Sequence, residues 1–579
     1  MMHIDPLDFF LDPKSPLQRK YDALRDYYLN NLSQNEAAEK YGYTFYTFQT
    51  IARDFRAGKI TFFPPMKLGP KGRHTPDPIR EKIIELRKRN SSIYEIQEIL
   101  EMDGYHCSVG TINNILREDG FARLPRRTLN EKGLTSRGTL VPPASTALDF
   151  DDLSEHSFEC QVGGIFYLIP YIIETGLHEL LLDTPFPETS RLSRTNSVLS
   201  MLALKLMGHE RLSKVTSYSL DTGLGFFAGL NVPPKTTTTS TYSYRVDREA
   251  IDGFLENFVS GMTERYPQYY KGETINLDFH TIPHYGELSM MEENWSGAKH
   301  QRLKSALTLF AQDGGSRMLL YEDADIKNDE ASGAIMGFVD HWLRMRGIID
   351  QTLVFDSKLT DYKHLEELDS MGVKFITLRR RGKNLIEEAE DVPEEGWTKV
   401  NLKRPKRKHN RFEIWESNIP LPRTKLKVRQ LVFMGHGREQ PTFLITNNFD
   451  IPMETLALHY SNRWLIENKF SELVDFFKLN ALSSPLMIRI YFDVALTVVA
   501  DTLYKLLARD LRRYEDCTPK TIFADFINCG CRGEVVGNEV IIRMKKKATT
   551  PILKSMDRFQ RSWPVPWWGG KEVRYEWVA

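Results

Sequence analysis

The chain has 579 residues, of which 41% are hydrophobic and 27% are charged, and its formal net charge is zero. This length excludes a single small core and predicts several domains of a globular protein. Its five cysteines have neither disulfide-framework nor zinc-site spacing. The N-terminus lacks a signal-peptide pattern and no apolar run reaches membrane-spanning length, so we expect a cytoplasmic protein without a membrane partner.

Residues 1–62 carry the pattern of a helix-turn-helix unit. Ser33 followed by Glu36 forms a capping box, and Gly42 separates this short helix from a second one that Thr44 caps. The exposed face of the second helix carries polar side chains suited to DNA: Tyr46, Thr47, Gln49, Thr50 and Arg53. A purely structural three-helix bundle is the alternative interpretation.

The same pattern recurs in residues 78–122, after a basic linker at 63–77 that is rich in proline and glycine. Ser92 opens another capping box and Ser108 begins the second helix. Residues predicted to face outward from that helix are Thr111, Asn113, Asn114 and Arg117. Residues 51–140 hold 17 Lys and Arg against 11 Asp and Glu. Tandem basic units of this kind favour DNA binding. A second linker covers 123–150.

Residues 151–272 are predicted to be a helical domain, and residues 273–378 change to a β pattern. The predicted order is three strands, a helix, a strand, a helix and a strand, at 274–282, 302–312, 316–322, 329–346, 350–356, 360–370 and 373–378. This is the order of the ribonuclease H fold. Because the first and fourth strands of that fold are neighbours, we expect Asp278 and Asp356 to lie side by side.

Residues 379–450 interrupt this core and are predicted to be an inserted β subdomain. Residues 401–430 hold 10 Lys and Arg against 2 Asp and Glu, and the residues expected to contact the DNA backbone are Arg404, Lys406, Arg407 and Lys408. A helix at 461–477 resumes the core within 451–510, and 511–579 form the C-terminal region, in which GEVVGNEVIIRMKK is predicted to be a β-hairpin. The predicted fold class is therefore multidomain α+β, with tandem helix-turn-helix units, a ribonuclease H-like core with an inserted β subdomain, and a helical C-terminal region.

Three carboxylates stand where phosphoryl-transfer chemistry needs them. Asp278 and Asp356 lie in or at the end of apolar strands, and Glu467 lies on the later helix. Buried carboxylates are costly unless a partner compensates them, and two Mg²⁺ ions, with Mn²⁺ as the alternative, are suitable partners. In this interpretation Asp278 bridges both ions while Asp356 and Glu467 each hold one. His280 and His284 flank a strand-to-loop turn, which argues against a zinc site.

The chain resembles bacterial insertion-sequence DDE transposases of the group with a β insertion before the glutamate. The resemblance rests on LDFHTIPHYG around Asp278, on VFD ending at Asp356, and on the spacing of Tyr460, Arg463 and Glu467, which matches the group's Tyr-Arg-Glu-Lys signature. It covers roughly residues 155–510. The resemblance implies a catalytic and metal-binding role for Asp278, Asp356 and Glu467.

The signature departs from the family at its fourth member, where Val474 stands in place of the lysine. Lys478 is the candidate substitute, because it lies eleven residues after Glu467 and therefore nearly on the same helical face. Arg463 is predicted to hold a DNA phosphate bidentately, and Tyr460 to orient it.

The resemblance implies a DNA transposase that binds terminal inverted repeats and catalyses metal-dependent strand cleavage and strand transfer into target DNA. Its expected partners are double-stranded DNA, as transposon ends and target, and a second copy of the chain in a homodimeric synaptic complex. The expected location is the bacterial cytoplasm, with the protein on the nucleoid when DNA is bound. Two alternatives remain open: a catalytically inactive, transposase-derived DNA-binding regulator, and a metal-dependent nuclease without strand transfer.

Overall fold

The computed structural model describes residues 15–63, 75–122, 124, 142–285, 291–296, 300–402, 411–435, 440–481 and 486–578. The chain divides into two compact units, Met1–Thr139 and Leu140–Ala579. The predicted contact residues Arg404, Lys406, Arg407 and Lys408 lie outside the described residues.

The first unit is helical. Its described helices are α1 (Pro16–Leu29), α2 (Gln34–Lys40), α3 (Phe45–Arg56), α4 (Asp77–Lys88), α5 (Ile93–Met102) and α6 (Val109–Glu118). The first three helices pack around one apolar cluster that includes Phe48, and the last three pack around another that includes Ile112. Both predicted capping boxes are confirmed, at Ser33 before α2 and at Ser92 before α5. Each group of three helices therefore has its own small core.

Asp26 fixes the first helix of this unit to the second. Its buried carboxylate accepts hydrogen bonds from Lys40 Nζ at 2.6 Å, Tyr41 Oη at 2.7 Å and Asn30 Nδ2 at 2.7 Å. Burial alone would raise the pKa of Asp26, but these three donors lower it. The carboxylate is therefore charged, and it holds α1 against the end of α2.

The second unit contains fifteen described helices and fifteen described strands. The helices are α7 (Ile169–Glu174), α8 (Leu177–Asp183), α9 (Arg194–Leu206), α10 (Thr222–Phe227), α11 (Thr236–Thr241), α12 (Arg248–Arg265), α13 (Ala334–Arg346), α14 (Tyr362–Ser370), α15 (Lys383–Glu390), α16 (Met453–Asn462), α17 (Trp464–Asp475), α18 (Met487–Asp510), α19 (Pro519–Ile522), α20 (Thr550–Lys554) and α21 (Asp557–Gln560). The strands are β1 (Glu155–Cys160), β2 (Thr274–Pro283), β3 (Glu293–Ser296), β4 (Gln301–Asp313), β5 (Leu319–Ile326), β6 (Thr352–Val354), β7 (Phe375–Leu378), β8 (Thr398–Asn401), β9 (Arg411–Pro420), β10 (Lys427–Met434), β11 (Thr442–Thr446), β12 (Cys531–Val536), β13 (Glu539–Lys545), β14 (Trp563–Pro564) and β15 (Glu572–Val578).

The larger sheet has ten strands in the order β3-β4-β2-β6-β7-β11-β10-β9-β8, with β5 also paired to β4. The path β5-β4-β2-β6-β7 is antiparallel first and parallel afterwards, and this is the strand arrangement of a ribonuclease H-like core. The predicted pairing of the first and fourth core strands is confirmed, because Asn276 of β2 lies opposite Val354 of β6 in a parallel ladder. The short strand β3 was not predicted.

The β strands predicted for the insertion at 379–450 are present. This segment does contain α15 and the strands β8 to β11, but β11 pairs antiparallel with β7, with Leu444 opposite Leu378. The inserted strands therefore extend the core sheet. A strand at the edge of a sheet carries unpaired N–H and C=O groups, and β11 satisfies those of β7.

The hairpin predicted in the C-terminal region is confirmed as β12 and β13, whereas the helical fold class given to this region is wrong beyond α18. Strands β12 to β15 join β1 in a five-stranded sheet of order β1-β12-β13-β15-β14. The indole N–H groups of Trp567 and Trp568 donate to the carbonyls of Phe227 and Phe226, at 2.9 Å each. One apolar cluster runs through the helices after β1, the core sheet and this C-terminal sheet. The predicted domains 151–272 and 511–579 are therefore parts of one folded body.

Among the described residues, no single helix has both the length and the apolar character needed to cross a membrane. One bent pair, Gly163–Glu174 with Leu177–Asp183, meets that test by length and composition only.

Candidate active site

Asp278 and Asp356 lie on neighbouring strands at the same level of the sheet. Asn276 pairs with Val354, and the two aspartates each follow two residues later, so they meet where β6 ends. Adjacent strands are about 4.8 Å apart. Asp278 Oδ1 accepts from the backbone N–H of Phe279 at 2.8 Å, and Asp356 Oδ1 accepts from that of Lys358 at 2.7 Å. The parallel pairing therefore brings two carboxylates together.

Glu467 lies in the first turn of α17, and the chain reaches it through a break at Arg463. Helix α16 ends at Asn462, and the bonds across the break span three residues, from Arg463 N to Tyr460 O at 3.2 Å and from Ile466 N to Arg463 O at 3.0 Å. The helix predicted at 461–477 is present as α17, but it begins at Trp464 because the turn at Arg463 separates it from α16. The N-terminus of α17 favours negative charge, which suits Glu467.

Arg463 joins two of the three carboxylates. Its Nη1 donates to Asp278 Oδ2 at 2.5 Å and its Nη2 donates to Glu467 Oε1 at 2.8 Å. The Arg463 side chain is 13% exposed and that of Glu467 is 55% exposed. The Nε atom of Arg463 is buried and has no hydrogen-bond acceptor. The guanidinium carbon lies 5.9 Å from the centre of the Tyr460 ring. We call Asp278, Asp356 and Glu467 the carboxylate triplet.

The electrostatic field of the site makes ionisation of Asp278 costly. Burial raises the pKa of Asp278 to about 6, and repulsion by Asp356 and Glu467 adds to this effect, whereas Arg463 opposes it. Burial likewise raises the pKa of Tyr460, so its hydroxyl is protonated at neutral pH. The carboxylate triplet thus carries more negative charge than Arg463 compensates.

Comparison with protein families identifies this part of the chain. Residues 270–500 match the family model described as Transposase DDE domain. Residues 270–500 are therefore similar to a transposase DDE domain. The matched range includes the whole carboxylate triplet and the strands that position it. A comparison with curated proteins gave no match.

Solved transposase structures show distant likeness to the chain. One is a cryo-EM structure of the piggyBac transposase synaptic complex with hairpin DNA, at 10% identity and a TM-score of 0.36, covering 64% of this chain and 82% of that one. Another is the Mos1 transposase paired-end complex with left transposon end, at 10% identity and a TM-score of 0.13, covering 62% and 77%. A third is the Mos1 mariner paired-end complex with Mn, at 11% identity and a TM-score of 0.12, covering 62% and 76%. TM-scores this low support no conclusion about this chain, so only the match to the family model bears on residues 270–500.

Lys358 is a further cation beside the carboxylate triplet, and the sequence did not indicate it. Its Nζ lies 4.7 Å from the centre of the Phe279 ring. Burial lowers the pKa of Lys358, although Asp356 and Asp278 attract its charge. The only sequence signal is a lysine two residues after the second aspartate, and this signal is too short to distinguish from a surface residue.

The two histidines near Asp278 have separate environments. His280 Nε2 lies 2.7 Å from Asn480 Oδ1, its ring packs 5.0 Å from that of Phe470, and burial lowers its pKa. His284 is buried, and neither of its ring nitrogens has a hydrogen-bond partner. In the part of the chain that the structure describes, no three His, Cys, Asp or Glu side chains are arranged to hold a metal ion.

The prediction that Lys478 shares a helical face with Glu467 is wrong. Helix α17 ends at Asp475, and Lys478 follows in a left-handed conformation with φ of 58°. Its Nζ donates to the Asp475 carbonyl. Val474, at the position of the family lysine, packs partly buried against the core. Helical periodicity cannot carry a side chain beyond the end of the helix.

A buried ion cluster fixes α17, the helix that carries Glu467, to α18. Lys469 Nζ donates to Asp501 Oδ1 and to Glu472 Oε2, both at 3.0 Å, and Lys505 Nζ lies 4.0 Å from Glu472. The side chains of Lys469 and Asp501 are 1% and 0% exposed. In the sequence, Asp501 and Lys505 only interrupt an apolar run, and nothing local indicates that they pair with Lys469 and Glu472.

The predicted DNA-contacting residues of the first unit are mostly exposed. Those exposed on α3 are Tyr46, Thr47, Gln49, Thr50 and Arg53, and those exposed on α6 are Asn113, Asn114 and Arg117. Thr111 is half-buried, and its Oγ1 lies 2.9 Å from that of the cap residue Ser108. Thr111 therefore also takes part in the helix cap, and all of these residues stay predictions of DNA contact.

The residues of the triplet fit a divalent cation by donor type but not by present arrangement. Carboxylate oxygens are the ligands that Mg²⁺ and Mn²⁺ prefer. However, the guanidinium of Arg463 contacts both Asp278 and Glu467. A cation held by the whole triplet would therefore compete with Arg463 for Asp278 and Glu467.

Proposed function

We propose that the chain is a DNA transposase that binds the terminal inverted repeats of its element and catalyses metal-dependent strand cleavage and strand transfer into target DNA. One observation carries the proposal: the DDE domain brings Asp278 and Asp356 together on parallel strands, and Arg463 ties Glu467 to the same place. Three acidic groups from three separate elements are the requirement of phosphoryl transfer with two metal ions.

The carboxylate triplet would hold Mg²⁺ or Mn²⁺, and such ions supply charge stabilisation and an activated oxygen nucleophile for attack on phosphorus. Arg463 binds and orients the phosphate of the DNA strand, since its planar guanidinium matches two phosphate oxygens. The Tyr460 hydroxyl, protonated because burial raises its pKa, donates a hydrogen bond to that phosphate. The buried cluster around Lys469 keeps α17 in place, so that Glu467 stays on the side of Asp278.

End recognition is assigned to the first unit. The exposed faces of α3 and α6 carry Gln, Asn and Arg side chains, which read base edges in the major groove. Two three-helix groups with separate cores suit two successive contacts with DNA. Because two ends must be joined in one reaction, the active species is a homodimer on DNA.

The proposal is tested with DNA from the borders of the encoding element, chosen for its inverted repeats. Full-length protein and Mg²⁺ are expected to nick these ends and to join pre-nicked ends to a target plasmid. Asp278→Ala, Asp356→Ala and Glu467→Gln should each lower cleavage at least about 100-fold, because each removes a group that stabilises the transition state. Glu413→Gln, on β9, is the matched control and should cleave normally.

The outcomes separate the alternatives. Binding of the ends without cleavage indicates a DNA-binding regulator. Cleavage without joining of pre-nicked ends indicates a nuclease. Cleavage that Asp278→Ala leaves unchanged would show that the carboxylate triplet is not the active site.

A further inference from the structure

The guanidinium of Arg463 already neutralises two carboxylates that would otherwise hold a metal ion. Arg463 donates one hydrogen bond to Asp278 Oδ2 and another to Glu467 Oε1, through opposite nitrogens of a single guanidinium. The second oxygen of Asp278 accepts from Phe279 N. Each oxygen of the central aspartate therefore accepts one hydrogen bond, and a metal ion shared by Asp278 and Glu467 would compete with the guanidinium that already joins them.

Arg463 itself is not fully satisfied by these contacts. Its Nε is buried without an acceptor, and a buried donor left unpaired costs about 1–3 kcal/mol. A DNA phosphate offers several acceptor oxygens and pairs with a guanidinium bidentately. Transfer of Arg463 from the carboxylates to a phosphate would satisfy this donor and would leave the triplet without its counter-ion.

We propose that Arg463 is a latch that occupies the metal position in the DNA-free protein and exchanges this position for a DNA phosphate, so that DNA binding and metal binding assist each other. This inference rests on the proposed function for its biological meaning. The exchange itself requires only the contacts of Arg463. It follows from linkage that a phosphate which draws Arg463 away strengthens metal binding, and that a metal ion on the triplet frees Arg463 for DNA by the same factor.

The latch also has a consequence for the free protein. While Arg463 contacts Asp278 and Glu467, the free protein binds divalent ions weakly. Divalent ions bind more tightly once a DNA phosphodiester has drawn Arg463 away. Arg463 acts here as a positioning residue, through its competition for Asp278 and Glu467.

The test measures Mn²⁺ affinity without catalysis. Metal-free, full-length protein is titrated with Mn²⁺ at pH 8, and the free ion is followed by electron paramagnetic resonance. Arg463→Gln is expected to bind Mn²⁺ about tenfold tighter than wild type, because loss of even one charge-assisted hydrogen bond corresponds to at least a factor of ten. Arg463→Lys, a point charge that cannot hold both carboxylates at once, should lie between them. Arg574→Gln, on β15 and 46% exposed, should match wild type.

A second arm adds a mixed-sequence duplex of about 30 base pairs at low salt, where non-specific phosphate contacts form. After subtraction of the Mn²⁺ that DNA alone binds, the duplex should tighten Mn²⁺ binding by wild type and leave that by Arg463→Gln unchanged. Equal or weaker Mn²⁺ binding by a folded Arg463→Gln protein, or an equal effect of DNA on both proteins, would overturn the latch. If Arg463→Gln does not fold, Arg463→Lys is used instead, and Mn²⁺ binding by this variant that is equal to or weaker than that of wild type would overturn the latch.

These results are independent of the proposed function. A protein that shows the affinity changes but neither cleaves nor joins DNA keeps the latch and loses the transposase proposal. A protein that transposes but shows no affinity change keeps the proposal and loses the latch.

Discussion

Asp278→Asn is expected to make the metal-free protein more stable at pH 8, although it removes the central acid of the site. Burial and the neighbouring carboxylates raise the pKa of Asp278 from 3.8 to about 6. A shift of this size corresponds to about 3 kcal/mol of unfavourable ionisation in the folded state. The side chain keeps 15% exposure and Arg463 would lose one partner, so we expect a gain of about 1–2 kcal/mol and a rise in Tm of about 1–2 °C for a unit of this size.

The sign of the pH dependence follows from the raised pKa. Below about pH 4 the carboxyl is protonated in both the folded and the unfolded protein, so aspartate and asparagine are equivalent. Between pH 4 and pH 6 the unfolded protein loses this proton first, and the folded wild type loses stability as the pH rises. The advantage of Asp278→Asn should therefore be about half as large at pH 5 as at pH 8. Thermal unfolding in the presence of a chelator, monitored by tryptophan fluorescence, measures the stability difference between Asp278→Asn and wild type at both pH values.

Asp313→Asn is the matched control for this experiment. Asp313 is also a buried aspartate of the core sheet, but it accepts hydrogen bonds from the N–H groups of Gly272 at 2.9 Å, Gly315 at 3.0 Å and Ser316 at 2.7 Å. An amide cannot replace these charge-assisted bonds, so this variant should lose about 1–3 kcal/mol. If Asp278→Asn is destabilised in the same way, or if its effect does not change between pH 5 and pH 8, the electrostatic account of the site is wrong.

Lys469→Met should cost about 3–5 kcal/mol in urea unfolding, because it leaves the buried carboxylate of Asp501 unpaired, and adding Asp501→Leu should restore most of the loss. Lys505→Met in the same cluster should have the opposite sign at pH 7, because burial and the adjacent Lys469 lower the pKa of Lys505 from 10.5 to about 8 and make its charge unfavourable in the folded state. The gain of about 1–3 kcal/mol should decrease as the pH rises from about 8 and vanish above about pH 11, where this lysine is neutral in both states. Arg53→Ala and Asn114→Ala should each weaken binding to end DNA about fivefold or more in a gel-shift assay, without a change in helix content.

Three results would contradict these expectations for the Lys469 cluster and for the first unit. A double variant no more stable than Lys469→Met alone would show that the cost lies in packing rather than in an uncompensated charge. A Lys505→Met variant that is less stable than wild type at pH 7 would show that the lysine is a net favourable member of the cluster. Unchanged binding by both first-unit variants would move end recognition away from α3 and α6.

The sequence was most informative where local pattern and chain order coincide. Apolar runs around Asp278 and Asp356, separated by a hairpin and a helix, are enough to predict a parallel neighbour pair, and the structure has this pair. The capping boxes at Ser33 and Ser92 are equally local, because a serine and a glutamate three residues later satisfy each other's backbone groups.

Other features depend on partners far away in the chain. An alternating strand pattern does not state which edge the strand joins, so the pairing of β11 with β7 could not be predicted from residues 379–450. The C-terminal sheet likewise needs β1, which lies more than 370 residues before β12 along the chain. The contacts of Lys469 with Asp501 and of Arg463 with Asp278 join separate elements in the same way.

The joint between α16 and α17 changes how the spacing of the signature residues should be interpreted. Arg463 and Glu467 are separated by one turn of helix, and a residue added between them would rotate Glu467 by about 100° about the helix axis, away from the guanidinium. Tyr460 and Arg463, by contrast, lie on either side of a position where the helix is already interrupted. A loop or helix boundary tolerates an inserted residue far better than the interior of a helix does. The helix itself therefore enforces the four-residue step from arginine to glutamate, whereas the step from tyrosine to arginine depends on the geometry of the turn between the two helices.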